Sequence, residues 1–312
     1  MKKTFFCAGN FAAVYIGRCL VPAVFLLILF SCNRNVQNSP AEEAARQARV
    51  FPTWLSLKEF NYGEPVHPLS DEIIPDDFYP WAGTVSHHIL AHEYIDAWFF
   101  CLSRMRNPQR FYLISPDHYR LSLERYSLTT GAWDSGFGLA ESDINKVMEI
   151  TESLNVDLDE SVFEIEHGIS ALMPYIKKYF PDAKIAAVVV SGDSRVNTYI
   201  AGFLAEVLEK EFDTGGKKEN FLIISSDFSH NGNPDETFVN DSISERYLKN
   251  PAEESWNIVR CDNRAGIYIL DRLGKKSMES RILYHTDSHK ISGYGNDITS
   301  YFFTFFADRE AY

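Results

Sequence analysis

The sequence predicts an α/β fold, a single three-layer domain in which helices cover both faces of a central, mostly parallel sheet. From about residue 81 onward, short apolar runs alternate with longer segments of helical periodicity. Strands that are apolar at every position must be buried on both faces, which is typical of parallel sheets between helical layers. No Pro-, Gly- or Ser-rich linker interrupts residues 81–312. We therefore assign residues 51–312 to one domain.

Each predicted element has its own pattern. Strands follow from apolar or β-branched runs such as FYLIS, KIAAVVV and FLIIS, and helices from apolar residues three or four positions apart. The predicted strands are residues 83–85, 111–115, 184–190, 221–225, 280–285 and 298–306. The predicted helices are residues 41–51, 91–105, 168–180, 196–212, 251–259 and 264–273. The loops at residues 120–139 and 287–297 are long enough to carry a site.

Residues 1–31 have the pattern of a lipoprotein-type signal peptide. They contain Lys2, Lys3 and Arg18 but no acidic residue, and residues 21–30 form an apolar run too short to span a bilayer. Ser31 and Cys32 then resemble a bacterial lipobox, in which the cysteine is lipidated. We expect an exported protein, anchored through Cys32 and a linker at residues 32–50 on the periplasmic or cell-surface side. Plain cleavage and an uncleaved anchor are the alternatives.

Net charge and cysteine content argue against a nucleic-acid-binding protein and against a disulfide-rich scaffold. The 30 basic and 43 acidic residues give a net charge of −13, which repels a phosphate backbone, so no nucleic-acid partner is expected. Beyond the signal and Cys32, only Cys101 and Cys261 remain. A domain of this size with two thiols is not a disulfide scaffold, although one bridge between them is compatible with an oxidising compartment.

Histidines follow three of the predicted strands. His87 and His88 come after residues 83–85, Asp117 and His118 after residues 111–115, and Asp227 and His230 after residues 221–225. Ligands of open parallel sheets bind beyond the carboxyl ends of the strands. Since imidazoles with nearby carboxylates bind transition metals, the pattern predicts a metal or catalytic site at this edge.

Four candidate residues have simpler alternatives. Glu166 and His167 precede a predicted helix, where the carboxylate either caps the helix or adjoins an anion site. Cys261 also precedes a predicted helix, and its thiol is either a metal ligand, a nucleophile or inert. The HExxH order of helical zinc sites is absent around His88, which leaves His88 as a residue that lines the site.

Five motifs in order resemble those of the Memo family, whose bacterial members are often called AmmeMemoRadiSam system protein B. They are SHHILAHEYI, FYLISPDHY, FEIEHGISALMPYIKKYFP, KIAAVVVSGD and FLIISSDFSHNG, and the resemblance runs from about residue 81 to residue 301. The family is similar in fold to class III extradiol dioxygenases. The resemblance therefore implies a single α/β domain with a metal pocket at the strand ends.

The resemblance also implies roles for individual residues. The metal ligands of the family are matched by His87, His118 and Cys261, and the catalytic Asp and His by Asp227 and His230. Glu166 and His167 match the family's Glu-His pair, and with His88 they are expected to contact substrate. Because His87 and His88 are adjacent, which of the two binds metal stays open. No radical-SAM-type cysteine cluster is present, so such a partner enzyme would be a separate protein.

The expected function is that of an exported lipoprotein binding one redox-capable transition metal, iron or copper, with zinc as a third option. Such a protein is expected to be a metal-dependent, dioxygenase-like oxidoreductase acting on an unknown small molecule, since kinship of fold does not define the reaction. One alternative is a non-catalytic metal- or partner-binding lipoprotein. Another is a hydrolase that uses a bound water or Cys261 as nucleophile and His230 as base.

Overall fold

The computed structural model describes residues 48–53, 74–192, 198–213, 215–274, 277–293 and 295–309. All of them belong to the compact unit formed by residues 38–312. The predicted signal peptide, the predicted lipidation site Cys32 and residues 32–47 of the predicted linker lie outside the described residues. No helix within the described ranges has the length and apolar character needed to cross a membrane.

Ten strands form two sheets in the described part of the chain. The strands are β1 (Val50–Phe51), β2 (Ala82–Val85), β3 (Arg110–Pro116), β4 (Tyr126–Leu128), β5 (Ala132–Asp134), β6 (Leu139–Glu141), β7 (Lys184–Val190), β8 (Asn220–Ser225), β9 (Met278–Asp287) and β10 (Ser300–Asp308). The main sheet has the order β4-β7-β3-β8-β2-β10-β9, and a small sheet has the order β1-β5-β6.

The main sheet is mixed, whereas a mostly parallel sheet was predicted. Its four central strands, β7, β3, β8 and β2, pair in parallel. The outer strands β4, β10 and β9 pair antiparallel. The α/β class is confirmed, but the parallel pattern holds only for the centre. The adjacent strands β3, β8 and β2 consequently place their carboxyl ends at one edge.

Helices α1 to α9 connect the strands. They are α1 (His92–Met105), α2 (Ile144–Leu154), α3 (His167–Ser170), α4 (Met173–Tyr179), α5 (Thr198–Leu208), α6 (Gly216–Glu219), α7 (Pro234–Lys249), α8 (Arg264–Gly274) and α9 (Ser288–Ser292). Short 3-10 turns occupy Ile89–Ala91, Val162–Glu164, Glu209–Phe212 and Trp256–Ile258.

Two hydrophobic clusters lie on opposite faces of the main sheet. Along β3, Phe111 and Leu113 belong to one cluster, while Tyr112 and Ile114 belong to the other. This alternation is the period of two that a strand imposes on its side chains. Helices α1 and α4 contribute to the first cluster, and α2, α5, α7 and α8 to the second. The three-layer arrangement is therefore present.

Three predicted helices differ from the structure. Residues 168–180 form two helices, α3 and α4, instead of one. Residues 251–259 contain only the turn Trp256–Ile258. Within residues 41–51, Val50–Phe51 is a strand, and residues 41–47 lie outside the described ranges. The helices α2, α6, α7 and α9 were not predicted, and α9 lies in the predicted loop at residues 287–297.

Candidate metal centre

The candidate site lies where the central parallel strands end. His87 follows β2, His118 follows β3 and His230 follows β8, and these strands are neighbours in the sheet. Parallel strands present their carboxyl ends at one edge, so chain segments distant in sequence meet there. The imidazole rings of His87 and His118 have centroids 4.6 Å apart. The structure thus brings two of the three predicted metal ligands together.

Hydrogen bonds fix which nitrogen of His87 faces the site. The hydroxyl of Ser225, at the end of β8, donates to the carbonyl oxygen of Gly168 at 2.6 Å. The same hydroxyl oxygen lies 2.9 Å from His87 Nδ1 and must therefore accept the proton from that nitrogen. With the proton on Nδ1, the lone pair of a neutral His87 ring lies on Nε2.

Hydrogen bonds to Glu166 likewise determine which nitrogen of His118 faces the site. Glu166 Oε1 lies 2.6 Å from His118 Nδ1, and its Oε2 accepts from the His118 backbone N–H at 3.0 Å. Its Oε1 also accepts from Gly168 N–H at 2.8 Å and so caps α3. Because a carboxylate only accepts, His118 Nδ1 keeps its proton and Nε2 is the nitrogen available to a metal.

Glu166 therefore differs from its predicted role in substrate binding. Its side chain is fully buried. A carboxylate with no exposed surface and three hydrogen bonds to His118 and Gly168 cannot reach a substrate. The structure supports the simpler alternative, in which Glu166 caps the helix, and adds that it orients a histidine of the site.

A carboxylate that sequence reasoning did not single out faces these imidazoles. Asp262 Oδ2 lies 3.3 Å from His87 Nε2 and 3.5 Å from His118 Nε2. It also lies 3.5 Å from His230 Nε2. Among the described residues, two sets of at least three donor atoms lie close enough to share one ion. They are His87 with His118 and His167, and His87 with Asp227 and Asp262.

Cys261 belongs to neither set, contrary to its predicted place as a ligand. Its side chain packs against the cluster that α2, α5 and α8 share with the sheet. Burial and the charge of Asp262 raise the pKa of the Cys261 thiol to about 12, which disfavours the thiolate that attack on a substrate would need. The thiol of Cys101 belongs to the cluster on the other face of the sheet, and both cysteines are free. The sheet separates them, so the disulfide alternative is not formed.

The remaining candidates surround the histidine pair. His167 packs its ring against His118, with centroids 4.1 Å apart. His88 turns away from His87 and bonds through Nδ1 to the Tyr301 hydroxyl. Asp227 accepts from the Ser86 hydroxyl at 2.6 Å, and its other oxygen lies 3.8 Å from His87 Nε2. Of the two adjacent histidines, His87 is therefore the one in the donor sets.

Electrostatics favour a cation at this point. Burial lowers the pKa of His118, but its contacts with Asp262 and Glu166 outweigh burial and raise it to about 10. For Asp262, burial raises the pKa, yet His118, His230 and His87 hold it well below its usual range. The pKa of His167 falls to about 3 because of burial and the nearby His87 and His118. Carboxylates thus stabilise positive charge at His118, and the same field stabilises a bound metal ion.

The residues present fit a transition metal. Two imidazoles offer Nε2 while their Nδ1 atoms are bonded to Ser225 and Glu166, an arrangement typical of metal-ligating histidines. Ligands held ~2.1 Å from an ion at tetrahedral angles are about 3.4 Å apart. The distances from Asp262 Oδ2 to the Nε2 atoms of His87 and His118 are 3.3 Å and 3.5 Å. These distances, together with the two donor sets that share His87, indicate a metal site without identifying the metal.

Comparison with known proteins gives a family match and several relatives. A family model described as Memo-like protein matches residues 80–299. A MEMO1 family protein of Metallosphaera sedula is 24% identical over 244 residues, covering 76% of this chain and 82% of the relative. One from Sulfurisphaera tokodaii is 25% identical over 248 residues, with the same two coverages of 76% and 82%. An uncharacterized protein of Escherichia coli K12 with a crystal structure gives a TM-score of 0.45 at 12% identity, over 72% of this chain and 98% of that one.

Proposed function

The chain belongs to the Memo-like protein family, and from this premise we propose that it is a metal-dependent, dioxygenase-like oxidoreductase. In this proposal one redox-capable transition-metal ion, iron or copper, binds at the strand ends, and the substrate is a small molecule. Zinc is compatible with the same ligands. Imidazole nitrogens with a carboxylate suit all three metals.

The observation that carries the proposal is the paired orientation of His87 and His118. Each Nδ1 is hydrogen-bonded, to Ser225 and to Glu166, and each Nε2 faces Asp262 Oδ2. Two histidines oriented in this way form a preorganised pair of metal ligands, because neither ring must turn when an ion binds. A bound ion would supply a Lewis-acidic centre that can exchange electrons.

The chain's own residues would bind substrate and move protons. His230 is 40% exposed, so it lies at the mouth of the site, and Asp262 is 3.5 Å from its Nε2. Burial lowers the pKa of His230, but Asp262 and Asp227 outweigh burial and raise it, so this ring can hold a proton and deliver it to substrate. Because His167 stays neutral, its ring can accept a hydrogen bond. Asp227 would orient the site from its bond with Ser86.

Oxygen consumption tests the proposal. Protein loaded with iron or copper and supplied with ascorbate as reductant should consume oxygen, whereas zinc-loaded and chelator-treated protein should not, since zinc does not change oxidation state. An oxygen electrode measures the rates, and an anaerobic sample provides the baseline. Tight binding of one ion per chain without metal-dependent oxygen use would contradict the enzyme proposal and favour the non-catalytic metal-binding alternative.

We also propose that the protein is exported and lipid-anchored at Cys32. The proposal rests on the basic residues Lys2 and Lys3, the apolar run at residues 21–30 and the Ser31-Cys32 pair. Cells fed an alkyne-tagged fatty acid should label the wild-type protein and place it in the membrane fraction, while Cys32→Ala should lose the label. Equal labelling of Cys32→Ala, or no label on wild type, would rule out this anchor.

A further inference from the structure

Asp262 presents a single oxygen to the histidines of the site. Its Oδ1 accepts from the Ser226 hydroxyl at 2.9 Å and from the Asp227 backbone N–H at 3.1 Å. These bonds fix the carboxylate, and they leave Oδ2 directed at His87 Nε2 and His118 Nε2. The side chain is 15% exposed, so the carboxylate is held in a largely dry environment.

The backbone around Asp262 is anchored to the sheet. The Asp262 N–H donates to the carbonyl oxygen of Asp227 at 3.0 Å. The next residue, Asn263, is fully buried, and its amide donates to the carbonyl oxygens of Ile114 and Ser225 at 2.9 Å each. These two carbonyls lie on the neighbouring strands β3 and β8. The loop that carries Asp262 is thus bonded to the same strands that deliver His118 and support His87.

The side chains of the adjacent residues Cys261 and Asp262 lie in different environments. The side chain of Cys261 packs against the hydrophobic cluster, while Asp262 faces the imidazoles. A sulfur in the cluster would have to leave its packing to reach His87 Nε2. The carboxylate Oδ2, by contrast, already lies 3.3 Å from His87 Nε2 and 3.5 Å from His118 Nε2, and each of these distances is close to that between two ligands of one ion.

Asp227 and His167 are the other candidates for a third ligand. Asp227 Oδ2 lies 3.8 Å from His87 Nε2, farther than Asp262 Oδ2 at 3.3 Å. A set made of His87, His118 and His167 carries no negative charge of its own. Burying a divalent ion is costly unless negative groups compensate its charge. Asp262 supplies such a charge in direct contact with both Nε2 atoms, which favours it over His167.

His87 shares one donor set with His118 and the other with Asp262. We propose that Asp262, and not Cys261, is the third protein ligand, so that an ion bound by His87 would be held by His118 and Asp262 as well, in a two-histidine, one-carboxylate site. This inference rests on the proposed function, since it names the ligands of the proposed metal. Carboxylate ligands suit harder divalent ions, and two histidines with one carboxylate are typical of non-haem Fe(II) sites, whereas thiolates favour Cu(I) and zinc. The inference therefore predicts a site that prefers Fe²⁺ to Cu⁺.

Matched substitutions separate the two possible ligands. Asp262→Asn keeps the shape of the side chain and removes its charge, and Cys261→Ser removes the sulfur. Equilibrium dialysis with Co²⁺ as probe should show affinity weakened roughly 100-fold or more in Asp262→Asn, more than the loss of a hydrogen-bond partner of a ligand typically causes. Cys261→Ser should bind Co²⁺ as wild type does. Asp117→Asn, at another carboxylate of the strand ends, is the control for charge removal.

The spectrum of the Co²⁺-loaded protein is a second readout, independent of affinity and of folding losses. A cobalt–thiolate bond gives an intense near-ultraviolet charge-transfer band that nitrogen and oxygen ligands lack. We expect no such band in wild type and no change in Cys261→Ser. A thiolate band in wild type that disappears in Cys261→Ser would overturn the inference while leaving a metal site. Loss of Co²⁺ in His167→Asn, with Asp262→Asn unchanged, would assign the third ligand to His167. Failure of wild type to bind any metal would instead contradict the proposed function.

Discussion

His118→Ala should abolish metal binding while leaving the protein folded. The substitution removes one of the two Nε2 donors that face Asp262. Affinity should fall by more than the roughly 10–100-fold expected from losing a hydrogen-bond partner of a ligand. Elemental analysis of protein purified without added metal, together with circular dichroism, measures both outcomes. Metal content equal to that of wild type would contradict the assignment of His118.

Two further variants test whether the loss of metal in His118→Ala is due to a missing ligand. Glu166→Gln keeps His118 but weakens its orientation, and it should give an intermediate affinity, about 10–100-fold below wild type. His285→Ala is the matched control, because His285 also pairs with a carboxylate, its Nε2 lying 2.8 Å from Asp241 Oδ2. That pair lies outside both donor sets. His285→Ala should therefore keep its metal.

Trp98→Ala should destabilise the fold by about 3–5 kcal/mol. Trp98 lies on α1, is fully buried, and packs against Phe99 and Phe305 with ring centroids 4.8 Å and 4.9 Å away. Its Nε1–H donates to the carbonyl oxygen of Thr304 at 3.1 Å. A methyl group at Gly83 would lie 2.6 Å from the Trp98 ring, so the indole sits directly on the sheet. Urea unfolding measures the loss.

A surface aromatic residue provides the comparison. Tyr199 is 74% exposed, and Tyr199→Ala should change stability by no more than about 0.5 kcal/mol. If Trp98→Ala also cost less than about 1 kcal/mol, α1 would not be packed on the sheet as described.

The centre of the fold could be predicted because its strands are apolar throughout. The run KIAAVVV, at residues 184–190, forms β7 with the predicted bounds, and FLIIS lies within β8. A strand covered by helices on both faces must have this composition. The directions of the outer strands are not encoded in composition. The strand β10 is as apolar as β8, although it runs antiparallel to both of its neighbours.

Helix α7 was missed because its sequence lacks an apolar face. Its buried positions include Thr237, Asp241 and Ser244. Asp241 accepts from the Ser300 hydroxyl at 2.6 Å, and the Ser244 hydroxyl accepts from the Arg260 N–H at 2.9 Å. The signal that could have found it lies at its start, where Asn233 and Glu236 form a capping box and Pro234 occupies the first turn. Caps depend on local hydrogen bonds and not on hydrophobic periodicity.

The part of the site that lies directly after the parallel strands could be predicted from the sequence. His87 and His118 end neighbouring parallel strands, so their convergence follows from topology. Asp262 comes from a loop before α8, and no strand directs it. Its direction depends on the buried amide of Asn263 bonding to β3 and β8, a tertiary contact that residue type and spacing do not reveal. The sequence pointed to Cys261, one position away.

Anomalous diffraction from crystals of the protein, collected at the iron and copper absorption edges, tests the central claim most directly. The account predicts one peak at the carboxyl ends of β2 and β3, within about 2.0–2.3 Å of Nε2 of both His87 and His118. A peak elsewhere in the chain, or metal-loaded crystals with no peak between these two nitrogens, would contradict it.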